Sequence, residues 1–231
     1  NILTVIIGFT QVSMESIDKG SELQDNLNEV LKASKRAKEL VSQLLTFARK
    51  NNETLNPLKP QSILKESIKF LQHSIPKSIE IKCSIESESS IMGNPTQLHQ
   101  VLMNLCTNGV HAMKNQDNGV LEITLKDIFV DGLEIKKNNL PKGNYILLSI
   151  SDNGMGIPSE NISMLFDPYF TTKASGEGTG LGLSVTHGIV ERFGGRIFVD
   201  STVGKGTKFS IYIPSFKSLK TVENSINEVL P

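Results

Sequence analysis

The sequence is short of cysteine, of charge imbalance and of long apolar runs. Its two cysteines, Cys83 and Cys106, stand far apart and lack metal-ligand spacing, so both are expected as buried free thiols in a reducing compartment. Basic and acidic residues number 24 each, which leaves no global field to recruit nucleic acid or an anionic membrane. No apolar run approaches the roughly 20 residues that span a bilayer, and no signal peptide is visible. The remaining composition, 38% hydrophobic and 21% charged, is ordinary for a soluble globular protein. The first residue is Asn1 rather than Met, inside an apolar helical pattern. The expectation is therefore a cytoplasmic fragment, whose natural upstream sequence has room for a membrane span or sensor.

Ile2, Val5, Ile6, Phe9 and Val12 recur at helical spacing within residues 1–19. Gly20 is read as the left-handed cap of that helix. Ser21 and Gln24 are read as a capping box opening the next helix, over about 22–50. Its seam carries Leu27, Val30, Leu31, Ser34, Ala37, Val41, Leu44, Leu45 and Ala48. Two long helices with a short turn make an antiparallel hairpin whose apolar face is too broad to stay wet. A dimeric four-helix bundle would bury it; packing on the chain's own downstream unit is the alternative.

Residues 51–60 are polar, contain Pro57 and Pro60, and read as a linker. A helix over 61–75 follows, with Ile63, Leu64, Ile68 and Leu71 apolar, then an alternating strand at 79–85. After a brief strand at Ile91, Asn94 or Thr96 caps a helix over about 96–114, with Pro95 at its start. That helix carries an apolar stripe and a polar one: Gln100, Asn104, Asn108, His111 and Asn115. Asn104 and Asn108 share a face, and an amide oxygen suits a magnesium ion that also holds phosphates. A solvated asparagine-rich face is the alternative. Strands at 120–126 and 145–151 flank a polar excursion, and the second delivers Asp152 to its end. A further helix runs from Gly182 to about Phe193. Strands at 196–200 and 208–213 are joined through Gly204–Thr207, and Pro214 closes the last. The strand pairs are linked by loops rather than helices. The expected fold class is therefore α+β: the hairpin, then an α/β sandwich with a mixed sheet covered on one face by helices. The expected division is a hairpin at 1–50, a linker at 51–60, the sandwich at 61–216 and a polar tail at 217–231.

The densest chemistry lies between Asp152 and Gly182. A strand-end carboxylate can accept a hydrogen bond from a base, and glycine backbone at a helix start can wrap phosphates. The glycine cluster at 178–182 has no strand immediately before it, as a dinucleotide fingerprint would, and lacks the Gly-Lys-Ser/Thr of a P-loop.

Five motifs in order carry a family resemblance. They are Gln100–Met113 with both asparagines, Asp152-Asn-Gly-Met-Gly-Ile-Pro158, Phe166-Asp-Pro-Tyr-Phe170-Thr-Thr-Lys173, Gly178-Thr-Gly-Leu-Gly182, and Gly204-Lys-Gly-Thr207. Through them the sandwich resembles the ATP-binding domain of the sensor histidine kinases of two-component systems. These belong to a wider group that includes topoisomerase, mismatch-repair and chaperone ATPases. The resemblance implies ATP and Mg²⁺ as cofactors. Asp152 would accept from the adenine amino group, with Thr207 beside the base, through a water. Gly154 and Gly156 would let backbone approach base and ribose. Asn108 would ligate Mg²⁺, with Asn104 and His111 near the phosphates. Residues 159–177 would form a lid anchored by Phe166 and Phe170. Lys173 would reach a phosphate or lie solvated on that lid. Gly178, Thr179, Gly180, Leu181 and Gly182 would present amides to the phosphates. Gly109 stands where the family usually has alanine.

The hairpin resembles the family's dimerisation and phosphoacceptor domain just after its histidine, which would lie a few residues before Asn1. Asn1 would then hold the position that orients water for dephosphorylating a partner. None of His73, His99, His111 and His187 takes the acceptor's place. The implied activity is transfer of the γ-phosphoryl of ATP to a histidine and on to an aspartate of a response-regulator receiver domain. The implied partners are a second copy and that receiver, with no nucleic acid. An ATP-binding dimeric scaffold that has lost the acceptor is the alternative. An ATPase of the topoisomerase or chaperone type would need a glutamate on the asparagine helix, and none lies between Thr96 and Met113.

Overall fold

The computed structural model describes residues 2–18, 20–48, 54–114, 116–131, 140–173 and 179–216. The chain divides into two compact units, Asn1–Glu53 and Thr54–Pro231.

The first unit is a helical hairpin of α1 (Ile2–Glu15) and α2 (Glu22–Ala48). α1 stops well before Gly20, so Gly20 is not its cap. Ser16 donates its hydroxyl back to Val12 O and its N–H to Ser13 O, giving the chain a local alternative to the helix. Gly20 instead takes φ +86° in the turn that follows. The capping box is present in shifted form. Ser21 Oγ accepts from Gln24 N at 3.2 Å, while Gln24 Oε1 accepts from Gly20 N at 2.7 Å, one residue ahead of Ser21. Glu22 and Asp25 in the first turn complement the helix dipole. Thr10 and Ser34 are buried, whereas Ile2, Val5, Phe9, Val12 and Val30 are exposed. Asn1 and the side chains of Val41, Leu44, Leu45 and Ala48 lie outside the described residues.

The second unit contains β1 (Asn56–Leu58), α3 (Pro60–Ser74), β2 (Ile79–Ile85), β3 (Ser90–Gly93) and α4 (Pro95–Ala112). After these come β4 (Gly119–Val130), β5 (Gly143–Asp152), α5 (Ser159–Ile162), α6 (Gly182–Arg192), β6 (Arg196–Thr202) and β7 (Gly206–Phe216). The sheet runs β1-β3-β7-β5-β4-β2, with β6 also on β7. It is mixed: β2 and β4 are parallel, and the other pairs are antiparallel. Alternation along the strands sends Leu121, Ile123, Ile146, Leu148, Ile150 and Ile211 to one face. There they meet Leu64 and Leu71 of α3, Leu98, Leu102 and Leu105 of α4, and Val185 and Ile189 of α6. The opposite face carries a small cluster of Val130, Leu140, Tyr145 and Tyr212.

Three expectations are corrected. Part of the anticipated linker is β1, paired with β3 from Asn56 opposite Gly93 to Leu58 opposite Ile91, and Pro60 is already the first residue of α3. Pro214 does not close β7, which continues to Phe216 and pairs with β3. Cys83 is exposed rather than buried, because β2 is an edge strand whose outer part the helices leave uncovered; Cys106 is buried as expected. Burial pushes the Cys106 thiol up to about 12. The tail from 217 and residues 132–139 lie outside the described residues.

Candidate nucleotide site

The site is assembled on α4. Asn94 caps this helix by accepting from Gln97 N at 3.1 Å, and Pro95 presets the first turn. Leu98, Val101, Leu102 and Leu105 bury one face, which leaves the stripe with Asn104 and Asn108 half-buried and His111 exposed. Asn115 lies outside the described residues.

Each motif meets α4 at a different height. Asp152, at the end of β5, lies against Gly109: a Cβ there would stand 3.3 Å from Asp152 Cβ and 3.5 Å from its Oδ2. Gly154 packs on Ala112, where a Cβ would come within 2.7 Å of the alanine carbonyl oxygen. Met155 N donates to that carbonyl at 3.1 Å. Lys173 Nζ donates to Asn108 Oδ1 at 3.2 Å. Asn104 Nδ2 donates to Gly182 O at 3.0 Å and to Thr186 Oγ1 at 3.3 Å, which ties α4 to the start of α6.

Asp152 is 9% exposed. Burial pushes its carboxyl above the ordinary range, while hydrogen bonds from the Gly154 and Thr207 backbone pull it down. Gly154 N donates to Asp152 Oδ1 at 2.9 Å. Gly206, at φ +109°, lets β7 pass so close that a Cβ would stand 1.9 Å from Asp152 O. Thr207 is buried beside Asp152 in the β5–β7 register. Gly156, at φ +70°, turns the chain against Thr202 O.

The described part of the segment expected as a lid is held by aromatic and backbone contacts. Phe166 packs against the core and against the His187 ring, at 5.1 Å between centroids. Tyr169 takes the left-handed conformation, φ +68°, and its N–H donates to Gly180 O at 3.0 Å. This ties the middle of the segment to the residues just before α6. Phe170 is half-buried, and its N–H donates to Asp167 O. Thr179 Oγ1 accepts from Leu181 N, and Leu181 is buried. The N-cap residue Leu181 makes no side-chain cap hydrogen bond to the first turn of α6. Gly178 lies outside the described residues. A cavity of about 360 Å³, lined by Ile162, Phe198, Tyr212 and others, lies beside β6 and shares only Phe166 with these motifs.

Three further residues hold the site, Asn153 within the Asp152–Pro158 motif and Ser201 and Thr186 outside any motif. Asn153 accepts from Val120 N at 2.7 Å and donates to Asn118 O at 2.9 Å, locking the turn after Asp152. Ser201 Oγ accepts from Ile157 N at 2.8 Å and lies 2.9 Å from Thr207 Oγ1. Thr186, fully buried, donates to Gly182 O at 2.9 Å. Of these, only Asn153 gives a sequence signal, since Asx residues before glycine favour such turns. His99 is structural: Ser67 donates its hydroxyl to Ile63 O and lies 2.7 Å from His99 Nδ1, linking α3 to α4.

Both units of the chain are similar to known proteins. Residues 93–217, more than half of the chain, match the family model "Histidine kinase-, DNA gyrase B-, and HSP90-like ATPase". Residues 1–53 match the "His Kinase A (phospho-acceptor) domain". A sensor kinase CckA of Brucella abortus (strain 2308) is 32% identical over 97% of this chain, which spans 24% of that protein. The crystal structure of full-length ShkA in complex with AMPPNP shares the fold, with TM-score 0.68 and 21% identity over 94% of this chain and 43% of that one. Histidine kinase ThkA in complex with response regulator TrrA does too, with TM-score 0.63 and 23% identity over 93% of this chain and 58% of that one. The chain belongs to the sensor histidine kinases, with a phosphoacceptor-type helical segment followed by an ATPase domain of the gyrase B and HSP90 type.

Proposed function

We propose that this chain is a histidine kinase core. It binds ATP with Mg²⁺ across α4, and it passes the γ-phosphoryl to a histidine nitrogen and then to an aspartate of a response-regulator receiver domain. The observation that carries the reading is the meeting of three separated motifs on the asparagine helix: Asp152 at Gly109 and Gly154 at Ala112, Lys173 at Asn108, and Gly182 at Asn104.

Asp152 accepts from the adenine amino group, which explains a buried carboxylate kept beside backbone donors. Thr207 flanks the base, and Gly154 and Gly156 bring backbone alongside base and ribose. The amides at the start of α6, from Gly182 onward, take the phosphates with Thr179, Gly180 and Leu181. Gly178, Asn104 and His111 are assigned to the same end. Phe166 and Phe170 seat the covering segment.

A magnesium ion fits Asn108. Its Oδ1 already faces a cation, the Lys173 ammonium. Among the described residues, no cluster of His, Cys, Asp and Glu offers a cage. An ion here would therefore take one amide oxygen and complete its shell from phosphates and water. Bound there, it neutralises charge on the transferring phosphoryl. The protein contributes mainly position. Lys173 supplies a second positive charge. α4 offers no carboxylate to activate water, so the phosphoryl is kept for a carried nucleophile. A neutral imidazole needs no strong base.

The exposed apolar residues of α1, Ile2, Val5, Phe9 and Val12, support dimerisation through the hairpin. We assign 1–50 to the dimerisation and phosphoacceptor segment and 61–216 to the ATP-binding unit, with β1 added to the latter. A receiver domain is the expected partner; the ThkA complex with TrrA is a precedent in the same fold. No helix among the described residues is long and apolar enough to cross a membrane.

The test uses the protein at its natural length with γ-labelled ATP and Mg²⁺. Acid-labile, base-stable label that disappears in Asp152→Asn supports the kinase. Bound ATP without label favours the dimeric ATP-binding scaffold instead.

A further inference from the structure

We propose that Lys173 is a positioning residue that stands in for the metal ion at Asn108. Before a metal–nucleotide complex binds, its ammonium occupies the amide oxygen; when the complex binds, it gives that oxygen up and keeps only the phosphates. The inference rests on the reading of Asn108 as the Mg²⁺ ligand and adds what holds that ligand beforehand.

Lys173 Nζ donates to Asn108 Oδ1 at 3.2 Å across 65 positions of sequence, in a partly buried setting where water competes less for the oxygen. Lys173 N also donates to Thr171 Oγ1 at 3.2 Å, which holds the backbone from which the side chain reaches α4. An ammonium has three hydrogens to give. With a metal-free nucleotide, Lys173 keeps Asn108 and turns a second hydrogen to the phosphates. A magnesium ion changes this, because it takes an oxygen at about 2.0–2.1 Å. An ammonium kept on the other lone pair of the same amide oxygen would stand roughly 4–5 Å from the ion, where like charges repel strongly. Lys173 must then release Asn108. The phosphates give it a charged acceptor in place of a neutral one, so it stays in the site without the amide. Giving up the Asn108 contact offsets part of what Lys173 contributes, but only when the metal is there.

The experiment measures ATP affinity twice, in excess Mg²⁺ and in a chelator. It uses the 231-residue chain as wild type, Lys173→Met, Asn108→Ala and the double variant. The quantity read is the ratio of the two affinities, the gain from metal. Lys173→Met is expected to weaken metal-free ATP about thirtyfold and Mg·ATP only about threefold, so the gain from metal rises about tenfold, the size of one hydrogen bond to a charged group. In the Asn108→Ala background there is no amide contact to give up, and removing Lys173 should change the ratio less than about twofold. Equal weakening of both forms, or of neither, overturns the proposal, since Lys173 then makes no exchange. A tenfold rise that persists without the Asn108 amide overturns it too, because it makes Lys173 a general positive charge. The starting state is read without nucleotide. Lys173→Met should move the side-chain amide resonance of Asn108 in an NMR spectrum, and an unmoved resonance overturns the proposal. Failure of the underlying reading is recognised separately. A wild type whose ATP affinity ignores Mg²⁺, or an Asn108→Ala chain that keeps the full wild-type gain, removes Asn108 as metal ligand and this proposal with it.

Discussion

The two ends of α4 are built by opposite means. At the Asp152 end the fit is made by backbone: Gly154 on Ala112, Gly206 on Asp152, Gly156 on Thr202. At the Asn104–Asn108 end it is made by side chains that reach across, Asn104 to Gly182 and Lys173 to Asn108. Backbone contacts admit no extra atom, whereas side-chain contacts yield through torsions. On the proposed reading, the first end would be preformed for a flat base of fixed shape, and the second would rearrange around phosphates.

The largest expected effect tests the rigid end. Gly206→Ala combines φ +109° with a Cβ 1.9 Å from Asp152 O, and should cost about 3 kcal/mol or more by urea denaturation. Gly204→Ala, at φ +77° with open space around it, should cost only about 1 kcal/mol of strain. Equal losses would break the contrast.

Asp152→Asn should separate binding from stability. Nucleotide affinity is expected to fall about tenfold or more. The fold should gain stability near neutral pH. Burial raises the folded carboxyl above its ordinary 3.8, so wild-type stability falls as pH rises from 3.8 through that raised value. Asparagine does not titrate. The melting-temperature advantage of Asn should shrink as pH drops below that window, and an advantage independent of pH would show that burial is not the cause.

Smaller effects belong to the yielding end. Asn104→Ala should cost about 1 kcal/mol, because Gly182 O keeps the Thr186 hydroxyl. Lys173→Ala should leave thermal stability within about 0.5 kcal/mol, yet weaken nucleotide binding severalfold in a titration. A large melting shift in either variant would mean that this end is as preorganised as the other.

What the sequence made legible was local. The start of α4 followed from Asn94-Pro95 ahead of an apolar period, and Asp152 from its place after an apolar strand. What escaped depends on partners distant in the chain. β1 has three residues and no alternation; it is a strand because β3 offers it an edge. Pro214 looked like a stop, but it sits inside β7 opposite Tyr145. Cys83 keeps the inward alternation of β2, yet lies where the helices do not reach. Ser201 and Thr186 are common residue types whose roles exist only once β6 and α6 are in place. The contact of Gly109 with Leu121 and Asp152 could not be foreseen from any spacing.

The position of β7 bears on how the protein is made. This strand pairs with β3, β5 and β6, yet it is the last strand described along the chain. On the ribosome, β3 and β5 emerge with an unpaired edge and must wait for residues 206–216. Until then the nascent chain exposes sticky strand edges of the kind that recruit chaperones or aggregate. A stalled or prematurely ended polypeptide lacking β7 should therefore be a target for quality control rather than a weakened kinase.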